Sequence, residues 1–360
     1  MTDTSVPVTF ANFAEIETAR MFAAIAASAD GSNRWNHYRV PTPIDQQTVI
    51  RMNRDTLYSA AIIDISEGAT ITVPDAGDRY VSVMLVNEGH YIDKVLHDPG
   101  VHSLSAEDLG SDFVLAATRI LVDSEDPDDV SIVNALQDEL AVSSTGAREF
   151  AAPAYDESSF AETRQALLTL AKGLGGLERC FGRAEDVDPV RHLLGTAAAW
   201  GGLPENEAFY INVDPRLPVG EYTLRVGDVP VDGFWSVSLY DAHGYFAPND
   251  AGAYSVNSVR ACGIRTGRSP CASAATPHCP TCFPSLKGGT TWCVSTDLDQ
   301  KCWTARGRSP HSRRADPAPE GWRYGVERSG TETSPPASSV SRSPICTKVG
   351  SAMNPPAKRA

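Results

Sequence analysis

Apolar and polar positions change rhythm several times along this chain. Over Phe13–Ala29 the residues Phe13, Ile16, Ala19, Ala23, Ala24 and Ala27 recur at three- and four-residue spacing. That predicts a helix with Asn12 as its N-cap and Gly31 just past its end. From Asn53 onward the rhythm shortens to β-type runs punctuated by turn residues: Thr56–Ile65, Ala69–Val73 and Tyr80–Val86. Helical spacing returns over Ser131–Ala141 and Ser158–Leu174; in the second, Ser158, Ser159 and Glu162 read as a capping box and Gly175-Gly176 as the stop. Ala208–Val213, Gly220–Val226 and Phe234–Tyr240 are again strand-like.

The two strand-rich regions look like copies of one unit. Tyr80–Gly89 matches Phe234–Gly244 at Ser82 and Ser236, Val83 and Val237, Leu85 and Leu239, and Asn87 and Asp241, with one extra turn residue before Gly244. Tyr58 and Tyr210 stand upstream of the two copies at nearly equal distance. The expected fold class is therefore mainly β with helices: two jelly-roll-like β-sandwich domains joined by a helical connector, followed by an unstructured tail. The expected boundaries are 1–50 for the N-terminal helix and lead-in, 51–125 for the first β domain and 126–195 for the connector. The second β domain, truncated, takes 196–258, and the tail 259–360.

Composition sets that tail apart. Residues 1–258 carry 16 Lys+Arg against 39 Asp+Glu, whereas residues 259–360 carry 15 against 6. Seven of the eight cysteines lie after residue 258, where Leu, Ile, Val and Phe supply only 10 of 102 residues, too few to bury a core. The acidic first part argues against nucleic acid, which needs a basic face. No apolar run long enough for a membrane span and no signal-peptide pattern follows Met1, so the expected location is cytoplasmic with no membrane partner.

The segments Met52–Ser59 (MNRDTLYS), Ile63–Leu85, Gly201–Tyr210 (GGLPENEAFY) and Val231–Asn249 (VDGFWSVSLYDAHGYFAPN) resemble bacterial proteins that pair domain of unknown function 1254 with domain of unknown function 1214. The resemblance spans roughly residues 10–258 and implies two β-rich domains with a helical region and no settled activity. Some members are labelled carboxylesterases, but residues 1–258 lack the Gly-x-Ser-x-Gly turn that would expose a nucleophilic serine. Arg54 stands where many relatives have a small amide residue.

Such relatives continue with further strands past the position of Tyr254 and close on a segment like RPRPE-x-LDGSWTFP. Read one base out of register, Asp297–Pro310 (DLDQKCWTARGRSP) permits PRPEMLDGSWTF, and Arg265–Ala275 permits DGSVTVRFGG. Residues from about Val259 onward therefore read as translated out of frame, and this copy as a product that has lost the end of its second domain. The rival reading of the tail, a zinc module using Cys271, Cys279, Cys282 and Cys293, has knuckle spacing at Cys279 and Cys282 but lacks a second properly spaced pair.

Candidate chemistry is sparse. Arg54, Asp55 and Tyr58 cluster where a strand begins; Asp55 suits proton transfer, Tyr58 hydrogen-bond donation and Arg54 substrate binding. His90, Asp93, His97 and His102 form the densest histidine cluster, but their spacing matches no metal motif; His90 is kept as a catalytic candidate. Trp235 and Tyr240 are candidate ligand-binding aromatics, although sandwich cores use aromatics in the same way. No cofactor or metal is called for, and whether the protein is an enzyme stays open. The two expectations are a hydrolase-like enzyme acting on a small molecule between the domains, and a non-catalytic carbohydrate- or lipid-binding protein.

Overall fold

The computed structural model describes residues 5–47, 52–208, 210, 221–227, 231–241, 243–249, 252, 254–258, 291–297 and 323–328. The chain divides into two units, one comprising residues 1–212 together with 343–360 and the other 213–342. Both are built mainly from antiparallel strands, with a few helices in the first.

The first unit opens with α1 (Phe13–Ser28), followed by β1 (Asn36–His37), β2 (Thr56–Asp64), β3 (Ala69–Val73), β4 (Val81–Asn87), β5 (Ile92–Leu96) and β6 (Gly100–Leu104). Then come α2 (Ala106–Leu109), β7 (Phe113–Leu121), α3 (Pro127–Asp138), β8 (Ala141–Ser144), α4 (Glu157–Ala171) and α5 (Pro189–Ala199). The strands form a five-stranded sheet of order β1-β2-β7-β4-β5 and a three-stranded sheet of order β6-β3-β8.

The larger sheet is a middle layer. On one face, Leu57, Ala61 and Ile63 of β2, Val83 and Leu85 of β4, and Val114 and Ala116 of β7 pack against Ile71 and Val73 of β3, Leu104 of β6 and Val133 of α3. On the other, Ala60, Ile62, Met84, Val86, Leu115 and Ala117 pack against Met21, Phe22 and Ile25 of α1 and against Phe181, Ala199 and Trp200. Every residue of β2 and β4, and all of β7 except Arg119, is buried. A strand covered on both faces has no reason to alternate, which is why Phe113–Leu121 is one apolar run. Each fully buried Leu or Ile in such a layer contributes about 1.5–3 kcal/mol.

The helix expected at Phe13–Ala29 is α1 with Asn12 at the N-cap position, but the Asn12 side chain makes no capping bond; its Oδ1 accepts from the Thr9 N–H at 2.8 Å instead. The helix expected over Ser131–Ala141 begins earlier, because Asp126 accepts from the Asp128 N–H and Pro127 takes the first turn, and it stops before Ala141 enters β8. The helix expected from Ser158 is capped by Asp156, whose carboxylate accepts from the Ser159 N–H at 2.7 Å, rather than by a Ser-Glu box. α5 was not anticipated. Asp188 and Pro189 start it, but Gly195 interrupts its helical pattern, since a Cβ there would approach Cys180 Cβ to 2.8 Å.

In the second unit β9 (Glu221–Gly227) lies in the expected Gly220–Val226 region, and β10 (Ser236–Ser238) pairs antiparallel with β11 (Ser255–Asn257). The strand expected over Ala208–Val213 falls largely outside the described residues. So does most of 259–360, the expected unstructured tail, apart from β12 (Thr291–Asp297) and β13 (Arg323–Arg328), which flank β9. Among the described residues no helix is long and apolar enough to cross a membrane.

Candidate functional site

The helix-side face of the middle sheet turns polar toward one end. Tyr58 of β2 and Ser82 of β4 are both register partners of Arg119 of β7, so the three side chains form a row across the sheet. The Arg119 guanidinium carbon lies 5.5 Å from the centre of the Tyr58 ring, a cation–π arrangement. Its Nη2 donates to the Gly201 carbonyl at 3.3 Å; its Nη1 is buried and has no hydrogen-bond partner among the described residues.

Neighbours fix the row. Asn53 Nδ2 donates to the Tyr58 hydroxyl at 3.1 Å and to Thr56 Oγ1 at 3.0 Å, while Asn53 Oδ1 accepts from the Asp55 N–H at 2.6 Å. The Tyr58 hydroxyl therefore receives one hydrogen bond and keeps its own proton to give. Ser82 Oγ is buried and makes no hydrogen bond of normal geometry, although it lies close enough to Tyr80 to act on its phenol. Burial pushes the Tyr80 phenol above its ordinary range. Tyr210, half exposed, is near enough to Arg119, Tyr58 and Tyr80 for their charges to act on it.

His97 stands beside Tyr80, the ring centres 5.7 Å apart. Its Nδ1 donates to the Val81 carbonyl at 2.9 Å and its Nε2 to Glu207 at 2.8 Å. Both acceptors require a proton on the facing nitrogen, so the ring is an imidazolium. The hydrogen bond to Glu207 raises its pKa against the opposing effect of burial.

His90 lies elsewhere on the sheet and is completely buried. The Gly201 N–H donates to its Nε2 at 3.0 Å; Nδ1 must then carry the proton and donates to Thr196 Oγ1 at 2.7 Å, whose own proton goes to the His192 carbonyl. The ring stacks on Trp200 at 5.2 Å with 9° between planes. Burial first, and the His192 charge second, drive its pKa well below the imidazole range.

His90 also occupies a left-handed position, φ 65°, in the turn after β4. There Asn87 Oδ1 accepts from the N–H groups of Gly89 and Tyr91, the Asn87 N–H reaches the Tyr91 carbonyl and the His90 N–H reaches the Asn87 carbonyl. Asp241 makes the same four bonds, with His243, Tyr245 and Gly244 in the corresponding places. The two turns match without an insertion, which corrects the extra residue expected before Gly244: His90 sits where the second copy has Gly244, φ 87°.

The expected site residues are thus not brought together. Asp55 is buried at the end of β2 where its carbonyl accepts from Val122, and His90 follows Asn87, the partner of Val114. At roughly 3.3 Å per residue along β7 the two backbones are about 25 Å apart. Arg54 reaches the Thr42 carbonyl and lies 3.7 Å from Glu125. Tyr58 is the one expected residue that belongs to the row. Of the histidine cluster, His102 donates to the Asp98 carbonyl and Asp93 faces Asn87, so the four groups point to separate partners. Among the described residues no group of three His, Cys, Asp or Glu is placed to hold a metal. In the second unit Tyr240 packs on Phe246 at 4.7 Å, and the Trp235 carbonyl accepts from Ser258. Arg119 was missed, although a lone charge inside an apolar run was there to be noticed.

Residues 32–90 match the model of a protein of unknown function, DUF1254, and residues 217–268 match a second, DUF1214. No curated protein matches the chain. Among solved structures the fold is similar to the crystal structure of the VPA0106 protein from Vibrio parahaemolyticus, at 16% identity and TM-score 0.51 over 72% of this chain and 85% of that one. The chain carries a DUF1254 region followed by a DUF1214 region, in the order its sequence led us to expect.

Proposed function

We propose that the first unit binds a small-molecule ligand at the row formed by Tyr58, Arg119 and Ser82, and that the protein acts by binding rather than by acid–base hydrolysis. The buried, unpartnered Nη1 of Arg119 carries this reading. Leaving a charged donor without an acceptor away from water costs upwards of about 1–3 kcal/mol, a cost that a ligand oxygen removes. The guanidinium is held by the Gly201 carbonyl and by the Tyr58 ring, so the donor is positioned before anything arrives.

Hydrolysis would need a base free to take a proton. His90 and His97, the histidines joined to the row through Gly201 and beside Tyr80, have both ring nitrogens engaged, and Asp55 lies buried at the strand end. The test is a thermal-shift screen of organic acids, sugars and lipids with the full chain, repeated on Arg119→Gln, together with an ester and glycoside panel on wild type and Asp55→Asn. Ligand-induced stabilisation that disappears in Arg119→Gln is expected. Turnover that Asp55→Asn abolishes would favour the hydrolase instead.

A further inference from the structure

Resting on that reading, we infer that the group received at Arg119 is the carboxylate of a small organic acid. The donor count matches. Arg119 Nη1 is unpartnered among the described residues, and the Tyr58 hydroxyl, on the ring whose centre lies 5.5 Å from the guanidinium carbon, is already oriented by the hydrogen bond it receives from Asn53. A carboxylate presents two oxygens in one plane and is satisfied by two such donors, whereas a phosphate offers three or more oxygens and is ordinarily met by a larger set of donors.

The charge count also matches a single negative group. Among the described residues Arg119 makes no ion pair, whereas the His97 imidazolium is paired with Glu207. Around this lies a strongly acidic unit: residues 1–212 carry 14 Lys+Arg against 33 Asp+Glu. Such a field opposes a dianion more than a monoanion. The Tyr58 ring lies beside the same guanidinium and supplies an apolar surface for the organic part of the acid.

Calorimetric titration of the full chain with benzoate, benzamide, inorganic phosphate and glucose tests this. Benzoate is expected to bind, with benzamide about tenfold weaker or worse because it lacks the charge, and phosphate and glucose silent. Tyr58→Phe, which keeps the ring under Arg119 and is checked for folding by circular dichroism, is expected to weaken benzoate about five- to tenfold, and Arg119→Lys further. Equal affinity for benzamide and benzoate, or tighter binding of phosphate, overturns the carboxylate assignment and leaves the binding row standing. Benzoate affinity unchanged in both variants, or no binding of any probe at millimolar concentration, overturns the assignment and the row together.

Discussion

Gly201 donates its N–H to Nε2 of His90 at 3.0 Å, while its carbonyl accepts from Nη2 of Arg119 at 3.3 Å. One peptide segment just after α5 thus joins a buried neutral imidazole to the guanidinium of the row. His90 is tied to Arg119 through this link, with both of its ring nitrogens engaged.

The link makes His90 expensive to remove. His90→Ala is expected to destabilise the chain by about 3 kcal/mol, through loss of the stack on Trp200 and of two buried hydrogen bonds. His90→Gly relieves the left-handed backbone and is expected to be milder by about 1 kcal/mol, yet still below wild type. Urea unfolding of the three proteins checks the order; a glycine variant more stable than wild type would show that the ring contributes nothing.

Two histidines give stability a pH dependence of opposite sign. His90 resists protonation when folded, so below the unfolded value of about 6.5 the unfolded chain binds a proton the native state refuses, and stability falls with acid. His97 holds its proton more tightly when folded, so its contribution is full below about 6.5 and is lost as pH rises through its raised value. His97→Gln is therefore expected to lose stability more steeply than wild type between pH 7 and 5.5, read from urea midpoints. Parallel profiles would contradict the imidazolium at His97.

Much of the helical layer was written in signals of two residues. Asp126-Pro127 and Asp188-Pro189 announce α3 and α5, each with the aspartate accepting from the first-turn N–H groups. Periodicity alone placed α3 late and passed over α5, whose Gly195 serves packing on Cys180 rather than helix formation. β3 was legible to the residue because it is half-buried and alternates; β2 and β4, covered on both faces, were legible as short apolar runs between turn residues, and β7 was passed over. The His90 network could not be read at all, since its partners Thr196 and Gly201 are 106 and 111 positions away.

A buried carboxylate offers a second stability test. Asp64 is fully buried and accepts from the Arg148 guanidinium and backbone and from Ser66, which together hold its pKa far below the usual carboxylate range despite burial. Arg148→Ala is expected to lower the melting temperature more than Asp112→Asn, since Asp112, the other partner of Arg148, is exposed. Equal shifts would mean that the exposed pair matters as much as the buried one.

Cys180 is buried against α5, and burial pushes its thiol up to about 11. Iodoacetamide at pH 8 is expected to leave it unmodified in the native chain and to label it after urea unfolding, as peptide mapping would show. Labelling of Cys180 without denaturant would place it on a mobile surface instead.

We propose that the text after about Val259 is out of frame, although the DUF1214 match runs just beyond it to residue 268. Restoring the frame is expected to raise soluble yield and melting temperature, because the second domain would regain the closing strands that the shifted reading removes. No gain from the repaired gene would count against a lost reading frame.

Within β7, Arg119 is the sole ionised side chain, carried on a strand whose other residues are all buried between two packed faces. A guanidinium does not discharge itself by releasing its proton at any pH a cell experiences. The strand at the heart of the sheet must therefore borrow oxygen atoms from whatever lies alongside it, and the solidity of the whole layer becomes tied to how faithfully a single loop carbonyl is delivered.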